Sequence, residues 1–320
     1  MLMIFDILKE CEGAERIGIS GHIRPDGDAI SSCLALRRYL MVNMPGVRVD
    51  VNLEYPPSIF SDLWGYEDII QGFPDVEEPY DVYFALDCNY DRLGDAQKYF
   101  DKAKKTINID HHVSNKGCCA DVNVIEPEIS ATAELLCKHM DKDKLDKEIA
   151  MALYAGMVTD TGVFQYSCTS PDTMRRAADL LEYGFDFSKL IKRVFFEKTY
   201  LQSQIMGRCL MESVRFMDER CIVSVIDTKT ADFYGVKPKD YEGIVSQLNN
   251  IRGIDVAIFM YQVAPQEFKV SLRSSEKVNV AKIAMQFGGG GHDRAAGCNM
   301  KGTFHDCVNN LSDKIAEQLG

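Results

Sequence analysis

Apolar, β-like runs that stop abruptly at clusters of Asp, His and Gly restrict the fold of this chain more than any other feature. Arg16-Ile17-Gly18-Ile19-Ser20 reads as a buried strand and runs straight into Gly21-His22-Ile23-Arg24-Pro25-Asp26-Gly27-Asp28. Residues 81–86 form a second apolar run that ends at Asp87, and residues 105–109 a third that ends at Asp110-His111-His112. A further strand is expected at residues 47–53. Between them lie helical patterns: Ile30, Leu34, Leu36 and Leu40 give residues 29–42 helical spacing, and residues 131–140 and 147–157 read the same way. Ser170-Pro171-Asp172 opens one more helix, with a capping hydroxyl ahead of Pro at the first helical position. Strands alternating with helices predict an α/β domain: a largely parallel sheet with helices on both faces. Such sheets bind ligands at the carboxyl ends of their strands. The polar clusters, far apart in sequence, are therefore expected to meet in one crevice.

The texture changes in the second half. Residues 186–217 read as mostly helical, with Gly207 as the one turn signal, and suit a connector. Strands follow at 220–226, 255–263 and 267–272, helices at 241–250 and 279–287, then a four-glycine run from Gly288 to Gly291 and a closing helix from Thr303. This predicts a smaller α+β domain of about 110 residues. The expected division is a catalytic domain over 1–187, a helical linker over 188–212 and a substrate-binding domain over 213–320.

Composition narrows the partners. The chain has 320 residues, 46% of them hydrophobic, which suits a globular protein. A net charge of -12 argues against a grip on long duplex nucleic acid, which calls for a basic face. A short anionic substrate stays open, because bound metal ions and a local basic cluster can reverse the sign inside a cleft. The 11 cysteines show no CxxC pair, only the neighbours Cys118 and Cys119, and read as reduced thiols. The acidic N-terminus lacks the pattern of a signal peptide, and no apolar run nears the ~20 residues of a membrane helix. The expectation is a cytoplasmic protein without a membrane partner.

Two carboxylates two residues apart, Asp26 and Asp28, repel unless a cation lies between them; the bland alternative is an Asp-rich turn with Asp28 capping the next helix. Asp87, at the end of an apolar strand, is poorly placed for packing and well placed as a ligand. Asp110-His111-His112 can supply a ligating imidazole, a carboxylate to orient it and a second imidazole for substrate. Val158-Thr159-Asp160-Thr161-Gly162 adds another acid in a turn after a helix. Mixed carboxylate and imidazole donors suit Mn²⁺ and related ions, with Mg²⁺ or Co²⁺ as alternatives, whereas structural zinc would call for Cys. So many carboxylates exceed the needs of one ion. Two ions ~3.5–4 Å apart accommodate them, activate water and clamp phosphoryl oxygens.

At this point the motifs resemble those of a known family, the DHH phosphoesterases. The matching segments are GHIRPDGDAISS (21–32), ALDCNYDRLGD (85–95), NIDHH (108–112) and VTDTGVFQY (158–166), with SLRSS (271–275) and GGGGHDRAAG (288–297) resembling the DHH-associated C-terminal domain. The resemblance covers nearly the whole chain. It implies that His22 and Asp26 bind one Mn²⁺, that Asp28, His111 and Asp160 bind another, and that Asp87 bridges them. It implies further that His112 faces the scissile phosphate, that Asp110 holds His111 in its ligating tautomer and that Arg92 orders the loop after Asp87. In the second domain, Arg273, Ser274 and His292 are the implied substrate contacts, Arg294 a lesser one, and Gly289, Gly290 and Gly291 an exposed run of amides suited to cradle an anion.

Within the family, the compact plan and the Ser130-Ala131-Thr132-Ala133-Glu134-Leu135 helix look most like the bifunctional oligoribonucleases. That likeness implies hydrolysis of RNAs a few nucleotides long to 5′-mononucleotides, and of 3′-phosphoadenosine 5′-phosphate to AMP. The alternatives are a phosphodiesterase acting on linear or cyclic dinucleotides and a non-catalytic nucleotide-binding regulator. A homodimer is left open.

Overall fold

The computed structural model describes residues 5–117 and 119–319, and the backbone but not the side chain of His292. The chain divides into two compact units, Met1–Glu197 and Lys198–Gly320.

In the first unit five strands form one parallel sheet: β1 (Arg16–Ser20), β2 (Arg48–Val51), β3 (Val82–Leu86), β4 (Thr106–Asp110) and β5 (Val122–Ile125), in the order β2-β1-β3-β4-β5. Its helices are α1 (Ile7–Glu10), α2 (Gly27–Asn43), α3 (Gln97–Phe100), α4 (Thr132–His139), α5 (Lys147–Asp160), α6 (Pro171–Leu181) and α7 (Phe187–Ile191). The period-two alternation of β3 shows why both sheet faces are covered. Val82, Phe84 and Leu86 enter the core shared with α2, α4 and α5, while Tyr83 and Ala85 enter an aromatic layer with Tyr80, Tyr99 and Phe100. Ser170 and Thr173 form a reciprocal capping box at the start of α6, with Pro171 at the first helical position. Strand β5 has no apolar run to announce it: its residues 122–125 are only partly buried at the sheet edge.

The stretch expected to be one helical connector is broken. After α7 and a π-helical turn over Lys192–Phe196, Thr199 caps a fresh helix, α8 (Tyr200–Met211), through a capping box with Gln202. Helix α8 packs inside the second unit, where Ile205 and Cys209 join the core with Ile222 and Leu248. Residues 214–216 are not helical but form the short edge strand β6 (Val214–Phe216).

The second unit continues with β7 (Cys221–Ile226), α9 (Thr228–Tyr234), α10 (Ile244–Asn249), β8 (Val256–Ala264), β9 (Glu267–Ser274), α11 (Val280–Gln286), β10 (Gly290–His292), β11 (Ala295–Lys301) and α12 (Phe304–Leu319). Its mixed sheet runs β10-β11-β9-β8-β7-β6, with β7 and β8 parallel and the other neighbours antiparallel. Alternate residues of β8 again face two layers: Val256, Ile258 and Met260 meet α11 and α12, while Ala257 and Phe259 meet α8 and α10. Buried cysteines such as Cys33, Cys137 and Cys307 act as small apolar side chains in these cores, while Cys118 lies outside the described residues. Among the described residues no helix is long and apolar enough to cross a membrane.

Candidate metal centre

The carboxyl ends of β1, β3 and β4 and the end of α5 bring Asp and His side chains together. After β1, the His22 Nδ1 atom lies 2.8 Å from the Ile23 carbonyl, which turns Nε2 toward Asp26 Oδ2 and Asp87 Oδ2, each 3.5 Å away. Asp26, not Asp28, caps α2: its Oδ1 accepts from the amides of Asp28 and Ala29, while its Oδ2 stays on the His22 side. Asp28 is wholly buried. Its Oδ2 accepts from the Thr132 amide at 2.6 Å, and its Oδ1 accepts from the Ala133 amide at 2.9 Å and the Ser32 hydroxyl at 3.2 Å. A Cβ on Gly27 would lie 2.5 Å from the Thr159 side chain, so only glycine lets the start of α2 approach the end of α5 this closely.

Asp87 sits immediately after β3 with φ +60. A left-handed conformation at a non-glycine residue is uncommon and clusters at functional sites. Its Oδ1 accepts from the Thr132 hydroxyl at 3.0 Å and faces His111 Nε2 at 3.5 Å, while Oδ2 faces His22. Asp160 closes the ring, with Oδ2 3.2 Å from His111 Nε2. Gly162, Val163 and Phe164, just beyond it, all have positive φ. A β-branched valine there is a true outlier, held by a Val163 amide bond to the Val158 carbonyl at 2.8 Å.

Asp110 does not serve the histidine expected of it. Its Oδ1 accepts from His112 Nδ1 at 2.7 Å, and its Oδ2 from Asn115 Nδ2 at 2.8 Å. His111 Nδ1 instead faces the Ile129 carbonyl at 3.2 Å. The reason is local: Asp110 Oδ1 also accepts from the His112 amide at 3.1 Å, a tight turn just beyond β4 that brings the His112 ring back onto the carboxylate. Arg92 contributes through its backbone, its carbonyl accepting from the Ile23 amide at 2.8 Å. Sequence reasoning missed Asn108 and Asn115. Asn108 bonds the Ala85 and Cys88 carbonyls and accepts from Asn115, so the two amides brace the strand ends. The available signal was a polar Asn108 between Ile107 and Ile109 in an otherwise apolar strand.

Among the described residues, three sets of side chains have donor atoms lying within 4.8 Å of one another: His22, Asp26 and Asp87; Asp28, His111 and Asp160; and Asp87, His111 and His112. The electrostatics call for positive charge. Burial, reinforced by Asp87 and Asp160, pushes the Asp28 carboxyl well above its usual range, and burial likewise raises Asp160. Burial pulls His22 and His111 down, but their carboxylate neighbours more than offset it and push them up to about 10 and about 12. Those same histidines hold Asp87 low against the opposing effect of its burial. His111 Nε2 is buried and has no hydrogen-bond partner, although oxygens of Asp160, Asp87 and Asp28 lie 3.2, 3.5 and 3.9 Å away. A buried nitrogen facing three carboxylates without a hydrogen bond to any of them fits a lone pair directed at a cation. The donor set therefore fits divalent metal.

In the second unit the glycine run is less open than its sequence suggests. Gly290 and Gly291 belong to edge strand β10 and pair with Gly297 and Ala296. A Cβ on Gly289 would lie 2.1 Å from the Gly297 carbonyl oxygen, and one on Gly291 2.4 Å from that of Ala295. These glycines permit close strand pairing rather than forming a free amide nest. Ser274 is buried, and its hydroxyl donates to the Val278 carbonyl at 2.6 Å, so its one proton is already used. Arg294 donates to the carbonyls of Ser275 and Val278, a tie within the fold. Arg273 is partly exposed, and its Nη1 donates to the Leu272 carbonyl. Arg273, Ala295 and His292 share one register row across β9, β11 and β10; the His292 side chain lies outside the described residues.

Both units match domains of known proteins. The model of the DHH family N-terminal domain matches residues 16–157, and that of the DHHA1 domain residues 218–320. The bifunctional oligoribonuclease and PAP phosphatase of Thermus thermophilus is 31% identical over 333 residues, covering 100% of this chain and 94% of that protein. A protein described in the same words from Bacillus subtilis is 26% identical, covering 87% of each. An exopolyphosphatase-related protein from Bacteroides fragilis has the same architecture, with a TM-score of 0.87 and 26% identity over 97% of this chain and 94% of that one. Fold, motif order and full-length similarity together place the chain in the DHH family, with its N-terminal domain followed by a DHHA1 domain.

Proposed function

We propose that this protein is a metal-dependent phosphoesterase that hydrolyses RNAs a few nucleotides long to 5′-mononucleotides, and 3′-phosphoadenosine 5′-phosphate to AMP. The observation that carries the reading is Asp87, whose two oxygens face His22 on one side and His111 on the other, so that it serves two donor sets at once. The substrate class follows relatives of that description, which match this chain over most of its length.

His22, Asp26 and Asp87 would hold one Mn²⁺, and Asp28, Asp87, His111 and Asp160 the other. When bound, such ions polarise phosphoryl oxygens and make water a nucleophile at neutral pH. The chain's own residues prepare the site. The Ile129 carbonyl keeps the proton of His111 on Nδ1, leaving Nε2 to coordinate. Asp110 fixes His112 by its Nδ1, which leaves Nε2 of this partly exposed ring for a phosphate oxygen. Hydrogen bonding by Asp110 keeps the His112 proton on to higher pH than usual, against its burial and with help from Asp87. A protonated His112 can donate to phosphate, and that form is lost as pH rises through its raised pKa. In Asp110→Asn the alkaline limb of the kcat/KM profile should therefore move to lower pH. An unmoved limb would remove this pair from the mechanism.

Arg273→Ala should raise KM for short RNA about tenfold with little change in kcat, as for a contact remote from the reacting bond. The function is tested by product analysis, in manganese, on dinucleotide to pentanucleotide RNAs, pApA, cyclic di-AMP, 3′-phosphoadenosine 5′-phosphate and pyrophosphate. Release of 5′-mononucleotides from short RNA supports the proposal. Cleavage of cyclic di-AMP or pyrophosphate alone would reassign the substrate.

A further inference from the structure

Residues 129–133 supply four contacts to three of the proposed ligands. The Ile129 carbonyl faces His111 Nδ1, the Thr132 and Ala133 amides donate to the two oxygens of Asp28, and the Thr132 hydroxyl donates to Asp87. Asp28 thus receives the free amides at the start of α4, where the helix dipole also favours a negative charge. This stretch needs an anchor of its own, because a shift of a few tenths of an ångström would move all three ligands.

The anchor is Glu134, which touches none of the ligands. It is 1% exposed. Its Oε2 accepts from the Ser130 amide at 3.2 Å, the Ser130 hydroxyl at 2.6 Å and the Thr173 hydroxyl at 2.9 Å, and its Oε1 accepts from Arg176 Nη1 at 2.7 Å. Ser130 lies within the stretch; Thr173 and Arg176 lie on α6. One carboxylate therefore bolts residues 129–133 to a helix that takes no part in the donor sets. An ionised carboxylate is acceptor-only and satisfies all four donors at once. A glutamine would turn an NH₂ group toward at least one of them, so the network cannot survive the change intact.

We propose that Glu134 is a positioning residue for the metal centre, acting through residues 129–133 to set Asp28, Asp87 and His111. The proposal rests on the metal-dependent reading above. It predicts that disturbing Glu134 weakens metal binding more than it weakens the fold, in line with the ~10–100-fold losses typical of outer-shell partners.

The test is manganese binding, followed by electron paramagnetic resonance of free Mn²⁺, on the full chain and its Glu134→Gln variant, with thermal unfolding in parallel. The expected result is a folded variant whose Mn²⁺ affinity falls at least about tenfold, while KM for short RNA at saturating manganese stays near that of the parent. Thr173→Val severs one tie to α6 without altering residues 129–134, and should weaken manganese binding by a smaller factor in the same direction. A folded Glu134→Gln variant with parental affinity would overturn the proposal. If that variant does not fold, parental affinity in Thr173→Val overturns it instead. A parent chain that binds no manganese would overturn the underlying metal reading, a separate outcome from parental binding in the variants.

Discussion

Asp87→Asn should leave the fold intact and lower kcat/KM on short RNA by about a thousandfold or more in manganese. Asparagine is the appropriate probe because Asp87 has φ +60. Asn enters the left-handed region readily, whereas alanine there adds strain of ~1–2 kcal/mol and would blur loss of charge with movement of the loop. The amide oxygen can still accept from the Thr132 hydroxyl, and the Asp87 amide keeps its bond to the Ile109 carbonyl. The negative charge is removed and one acceptor oxygen becomes an NH₂ donor, at a position 1% exposed where two histidines from different strand ends converge. Loss of a single preorganised electrostatic group commonly costs ~10²–10³ in rate, and a group shared by two donor sets should cost at least the upper figure. Steady-state kinetics beside circular dichroism and a melting curve check it. Parental turnover by a folded Asp87→Asn protein would refute the assignment of the centre.

Tyr83→Ala should destabilise the first unit by about 3–5 kcal/mol, the usual range for deleting a large buried aromatic. Tyr83 is wholly buried on the sheet face opposite α2 and α5. Its ring centroid lies 5.2 Å from that of Tyr80, 6.0 Å from Tyr99 and 6.3 Å from Phe100. It also covers Gly18, where a Cβ would stand 2.3 Å from the tyrosine ring. Its hydroxyl lies 2.6 Å from that of Ser20, the last residue of β1 before His22. Tyr83→Phe keeps the packing and should cost about 1 kcal/mol, because Ser20 can still donate to the Asn52 carbonyl. Urea unfolding of the three proteins measures both values. A Tyr83→Ala variant within about 1 kcal/mol of the parent would mean that this aromatic layer contributes little to holding β1 and β3 in register.

The parts legible beforehand share a physical basis. Apolar runs and spacings mark a segment only where it is deeply buried, as for β1, β3, α2 and α5. Strand β5, half-buried at an edge, and the glycine-bearing β10 carry no such pattern, and both were missed. The sequence offers Asp28 as the helix cap, but Asp26 has the same chemistry, and its φ of -93 and ψ of -165 give the cap to Asp26. The run over 186–217 looked continuous because its turn signals are polar side chains, Thr199 and Gln202, that act only as a reciprocal pair.

The order of Asp- and His-rich clusters after apolar strands was enough, by itself, to predict an α/β sheet whose carboxyl edge carries His22, Asp26, Asp28, Asp87 and His111; Asp160 reaches them from the end of α5. Alternation and strand-end chemistry are local properties, written residue by residue. Which atom holds which was decided only by the tertiary structure. Asp110 serves His112, the Ile129 carbonyl serves His111, and the amides before Glu134 serve Asp28. Those pairings span up to 105 residues, from Asp28 to Ala133. They depend on where a folded backbone places each oxygen and amide, which residue identity alone does not specify.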